Sequence, residues 1–199
     1  MVAAGRKETR MLRFLAVLTL CGLLGSCATG RPPTNLSDLC DIFDDRPGWR
    51  RAAAAAEARW GAPAPVTMAI IWHESKFVSD ARPPRTYFLG FPTGRRSSAF
   101  GYAQALDGTW DDYRRATGRF GADRDDFEDA IDFVGWYMDR TRRVNSVEMT
   151  DARAHYLAYH EGHNGFRRGT WRSKGWLQSV ASGVSTQASL YAAQLRACG

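Results

Sequence analysis

The sequence predicts a mainly α-helical protein with little β structure. Apolar residues recur at helical spacing in several long stretches. Start and stop residues for helices stand in the right order. Strand signals are few. In the longest stretch Phe127, Ile131, Val134 and Met138 keep a 3.6-residue rhythm opposite a charged face.

The elements follow in order. Pro47 and Gly61 bracket a first helix with alanines from Ala52 to Ala56 inside it. Pro65 opens a second, running from Val66 to about Ser75. Here Met68, Ile71 and Ser75 share one face, and Ile70 and Glu74 share another. Residues 76–100 contain Pro83, Pro84, Gly90, Pro92 and Gly94 among Arg82, Arg85, Arg95 and Arg96. They read as a long loop with a short extended piece at Tyr87–Phe91. Further helices are expected at Gly108–Thr117, Asp125–Arg143 and Thr150 to about Glu161. The stretch Trp176–Leu195 reads as one or two amphipathic helices. In Asp125–Arg143 the acids come early and the arginines late, as the helix dipole favours.

The N-terminus reads as an export signal. Arg6, Lys7, Arg10 and Arg13 precede an uncharged apolar run from Leu15 to Leu24, too short for a spanning helix. Met1 and Met11 both serve as possible starts. The ending Leu24-Gly25-Ser26-Cys27 resembles a bacterial lipobox, which implies cleavage before Cys27 and its acylation. Residues 1–26 are then a lipoprotein signal peptide, 27–43 a lipidated N-terminus and tether, and 44–199 the folded domain. Ala28–Ser37, with Gly30, Pro32, Pro33 and Asn35, has tether composition. Ala28 after the cysteine favours the outer membrane, facing the periplasm. Cys40 and Cys198 remain as an even pair in an exported chain, which favours a disulfide. The formal charge is +6, and the expected signal removes four basic residues and one acid. A mature chain near +3 suits an anionic polymer without identifying it. An exported chain rarely meets nucleic acid, and none is expected as a partner.

Glu74 lies near the C-terminal end of an apolar helix. The dipole there disfavours a negative charge, and apolar neighbours raise a carboxyl pKa. Such a group can stay protonated near neutral pH and act as a general acid. Metal chemistry is not expected. His73-Glu74 and His160-Glu161-Gly162-His163 both miss the His-Glu-x-x-His spacing, because position 77 is Phe and His163 follows His160 by three.

Three stretches carry a family resemblance: Trp72-His73-Glu74-Ser75, Gly101-Tyr102-Ala103-Gln104 and Ala158-Tyr159-His160-Glu161-Gly162. In that order they resemble the active-site signature of lytic transglycosylases of goose-lysozyme-like fold. The resemblance implies a lysozyme-like domain without cofactor that cuts peptidoglycan glycan strands between N-acetylmuramic acid and N-acetylglucosamine, leaving 1,6-anhydro ends. It implies Glu74 as acid and then base, and Tyr159 beside it as an orienting hydroxyl. It implies Ser75 near the substrate's N-acetyl group. Tyr102, Gln104 and His160 complete the expected substrate contacts, Gln104 both donating and accepting. His160 departs from the family, where many members have Asn, and Glu161 introduces a further carboxyl. Two alternatives stay open at this point: a muramidase of the same fold, and a non-enzymatic peptidoglycan-binding lipoprotein.

Overall fold

The computed structural model describes residues 31–198. The expected signal peptide and Cys27 lie outside them. Residues 32–199 form one compact unit. Within the described residues the order is α1 (Leu39–Asp45), α2 (Pro47–Trp60), α3 (Ala64–Ser75), β1 (Arg85–Phe88), β2 (Phe91–Arg95), α4 (Asp107–Thr117), α5 (Phe127–Asn145), α6 (Ala152–Arg168), a 3-10 turn (Thr170–Ser173) and α7 (Gly175–Cys198). The fold is mainly helical, as the periodicity predicts. None of these helices is long and apolar enough to cross a membrane.

Helix α5 runs through the middle. Its Asp126 cap accepts from the Asp129 N–H, and Glu128 and Asp129 occupy the first turn. From Ala130 to Asp139 every residue is buried. The apolar stripe seen in the sequence is therefore only part of its buried surface, because α2, α3, α4 and α6 all pack on it. Asp132 brings a charged group into this core. The Asp132 carboxylate accepts from Tyr113 Oη at 2.7 Å, Trp60 Nε1 at 2.8 Å and Arg59 Nη1 at 3.2 Å. Arg119 approaches it at 3.8 Å. Each buried donor finds an acceptor here, as burial demands.

Two elements depart from expectation. The segment expected as tether up to residue 43 contributes α1, whose Leu39, Ile42 and Phe43 are buried. Its cap Asp38 accepts from the N–H groups of Cys40 and Asp41. Helix α1 packs on α7, where Cys40 and Cys198 form a disulfide. A seven-residue helix shows too few turns for periodicity to declare it. Secondly, the loop 76–100 contains an antiparallel hairpin, β1–β2, turning at Leu89 and Gly90. Both turn residues have positive φ, 48° and 84°, as tight two-residue hairpins require. Neither strand buries a face, so the alternation that reveals a half-buried strand is missing.

Candidate active site

Glu74 occupies the last turn of α3, whose residues 66–71 are all buried. The helix ends sharply just after it. Lys76 and Phe77 both take positive φ, 54° and 59°. Such conformations cost non-glycine residues about 1–3 kcal/mol each and concentrate at functional sites. Phe77 is held there by full burial against Trp49, ring centroids 5.4 Å apart. The abrupt turn leaves Glu74 partly open to solvent although its carboxyl is densely surrounded.

That crowding raises the Glu74 pKa from an ordinary carboxylate value to about 7. Desolvation is the largest cause. A Tyr156 side-chain hydrogen bond and the Lys76 charge oppose it by favouring the ionised form. Lys76 itself folds back over the Trp72 indole, its Nζ 3.3 Å from the ring centroid. Both protonation states of Glu74 are thus accessible near neutral pH, the condition a proton-transfer group needs.

The second stretch is built differently from expectation. Gly101 has φ 78°, and a Cβ there would lie 2.0 Å from the Arg124 carbonyl oxygen. Glycine is required by the protein's own backbone, not by a ligand. Tyr102 is buried in the core, edge-on to Trp49 and Phe127, and does not offer a ring to a sugar. The Gln104 amide donates to the carbonyls of Ala81 at 2.8 Å and Gly101 at 2.9 Å. Its donor capacity holds the loop together and only Oε1 stays available as an acceptor. Ser75 is likewise buried, and its hydroxyl donates to Ile71 O at 3.4 Å. Helical back-bonding thus takes the proton expected to serve the substrate.

The third stretch lies on α6, which kinks at Gly162 with φ 69° and ψ 157°. Nothing crowds that position, so the backbone angle alone calls for glycine. Tyr159 is close enough to Glu74 for the carboxylate to help raise its pKa well above the usual tyrosine value, after desolvation. Its hydroxyl, however, donates to Ala103 O at 2.5 Å, pinning the second stretch to the third. The hydroxyl that serves the carboxyl belongs to Tyr156, one turn earlier. Sequence reasoning missed Tyr156. The available signal was its i, i+3 spacing from Tyr159, which puts both on one helix face.

Gln104, Tyr159, His160 and Gly162 line one groove with Leu106, Thr109 and Glu161. His160 stands edge-on to Trp176 and contacts Glu161 Oε1 at 3.1 Å. Glu161 is not a second acid. Hydrogen bonds from Lys174, at 2.6 Å, and from Thr170 hold its carboxyl down to about 2. It stays ionised wherever Glu74 titrates. Among the described residues no three His, Cys, Asp or Glu side chains gather as a metal ion would need.

Tyr159 joins two groups of residues: with Tyr156 it lies near Glu74, and with Gln104 and His160 it lines the groove, while Tyr102 stays in the core. The family model described as transglycosylase SLT domain matches residues 15–198. No curated protein matches the chain.

Proposed function

The chain belongs to the transglycosylase SLT domain family, and from that premise we propose that it is a peptidoglycan lytic transglycosylase with Glu74 as its single acid–base group. The observation that carries this reading is the Glu74 carboxyl, desolvated to a pKa of about 7, its other influences among the described residues being Tyr156 and Lys76. One such group suffices if the substrate supplies the other.

In this scheme protonated Glu74 donates to the glycosidic oxygen between N-acetylmuramic acid and N-acetylglucosamine. The bond to the muramic anomeric carbon breaks, and the muramic N-acetyl oxygen stabilises that carbon, as in substrate-assisted glycosidases. Ionised Glu74 is then sheltered by the Tyr156 hydroxyl and the Lys76 charge. It takes the proton from the muramic 6-hydroxyl, whose oxygen closes onto the anomeric carbon. The product carries a 1,6-anhydro ring, and Glu74 returns to its starting state. His160 and the Gln104 Oε1 would meet the sugar in the groove beside Tyr159.

A pH dependence follows. The first step needs protonated Glu74, so kcat/KM is expected to fall as pH rises through about 7. The Tyr156 hydrogen bond lowers that pKa. Tyr156→Phe removes a bond to a charged group, worth about 1.5–3 kcal/mol. The falling limb should move to higher pH in turnover assays on sacculi. A limb that stays in place argues against Tyr156 as the group that positions and tunes Glu74.

We further propose that Cys27 is acylated and holds the domain on the outer membrane, facing the periplasm. The motif Leu24-Gly25-Ser26-Cys27 supports this reading. Mass spectrometry of the membrane-bound protein should find acyl chains on Cys27 that are absent from Cys27→Ala, and an unmodified Cys27 removes the anchor.

A further inference from the structure

The hairpin β1–β2 carries a patch that the reaction does not use. Tyr87 is 63% exposed, Phe88 69%, Leu89 82% and Phe91 74%. These four residues surround one turn, and both faces of the ribbon are uncovered. A groove on a partner protein covers one face of a ribbon. A medium that surrounds the tip covers both.

The base of the hairpin is cationic. Arg85 and Arg95 are direct cross-strand partners, and Arg82 and Arg96 flank them. Like charges set directly opposite destabilise a strand pair unless an anion lies between or beside them. Arg95 donates to the Pro83 carbonyl, and among the described residues neither Arg85 nor Arg95 has a carboxylate partner. Between Arg82 and Arg96 there is no acid. Apolar and cationic groups are therefore separated along the length of the hairpin, not across it. Leu89 stands four residues beyond Arg85, about 13 Å at a strand's rise. Interfacial segments bury their apolar part about 5–10 Å below the headgroups, where the phosphates lie.

We propose that this hairpin is a finger that inserts into an anionic phospholipid surface. Phe88, Leu89 and Phe91 enter the acyl boundary. Tyr87 sits at the interface, where amphipathic rings collect. Arg85 and Arg95 take the lipid phosphates, which relieves their mutual repulsion. The tether supports a lipid surface over other anions. An anchor at Cys27 reaches Leu36 over at most about 30 Å, and the Leu36 carbonyl is fixed to the domain by Tyr191 Oη at 2.6 Å. If Cys27 carries the proposed anchor, the domain is thereby kept within reach of the bilayer. The assignment stands whether or not Glu74 is the acid.

Co-sedimentation with vesicles tests it. The chain from Ala28 onward contains the whole compact unit and lacks the acyl anchor. It should pellet with vesicles of phosphatidylethanolamine and phosphatidylglycerol at about 3:1, more weakly with phosphatidylcholine alone, and less in about 0.5 M salt. The triple variant Phe88→Ser, Leu89→Ser, Phe91→Ser should bind at least about tenfold more weakly. All three positions are exposed, so its melting temperature should match the parent's. Failure of the parent chain to bind the anionic vesicles overturns the proposal. So does equal binding by the triple variant. A triple variant that keeps vesicle binding but no longer pellets with purified sacculi reassigns the hairpin to the glycan.

Discussion

Glu74→Gln is expected to lower glycan cleavage by about 10³–10⁴-fold, the upper range for loss of a positioned general acid. The effect should be large because in the proposed scheme one residue serves both steps, protonating the leaving oxygen and then deprotonating the 6-hydroxyl. The substitution keeps the side-chain shape and its place beside Tyr156 and Tyr159, so binding to sacculi should change little. Stability should hold as well. Desolvation outweighs the Tyr156 hydrogen bond and the Lys76 charge in setting the Glu74 pKa, so a neutral amide there removes more strain than support. A variant that retains more than about a tenth of the activity would show that another group carries the proton.

The second large effect concerns the fold. Asp132→Ala is expected to destabilise the protein by roughly 3–5 kcal/mol, the cost of breaking a buried charged network. Tyr113 is fully buried, and its hydroxyl loses the carboxylate 2.7 Å away. The Trp60 indole N–H loses its acceptor at 2.8 Å. Each buried donor left unpaired costs about 1–3 kcal/mol. Arg59 and Arg119 are partly exposed and turn to water more cheaply. For a domain of this size the melting temperature should fall by roughly 10 °C. Asp132→Asn should cost less, because its carbonyl still accepts from one of the donors. Equilibrium unfolding in urea checks both, and a loss below about 1 kcal/mol for the alanine variant would mean that the network contributes little.

Much of this architecture was legible before any coordinates. The helices with caps and periodicity, α2 to α5 and α7, stand close to where their residues placed them, and α6 continues past the expected Glu161 through a kink to Arg168. Glu74 was legible through the three stretches taken together, and its place at the C-terminal end of an apolar helix pointed the same way. Its raised pKa agrees with that reading. What stayed hidden depends on tertiary contact. Helix α1 is short, and burial against α7 defines it. The hairpin has no buried face and so no alternation to read.

Side-chain roles were the least legible. Gly101, Tyr102 and Gln104 fit their motif, yet each serves the protein itself. Gly101 admits the Arg124 carbonyl, Tyr102 fills the core and Gln104 ties its loop to Ala81. A motif marks where the chain must adopt one geometry, and that need arises from packing as readily as from a ligand. Tyr159 and Tyr156 make the same point on one helix. The motif tyrosine braces the loop, while the tyrosine outside the motif faces the acid. His160 and Glu161 differ from both: they line the groove, and their contacts with Trp176 and Lys174 tie this part of α6 to α7 and to the connection before it.

The ends of the cut strands report whether Glu74 cleaves glycan by transfer to the muramic 6-hydroxyl. Mass spectrometry of purified sacculi digested by the wild-type protein and by Glu74→Gln tests it most directly. Under the proposed reaction, 1,6-anhydromuramic ends are expected in the wild-type digest and intact strands with the variant. Reducing muramic ends in the wild-type digest, or anhydro ends released equally by Glu74→Gln, would contradict it.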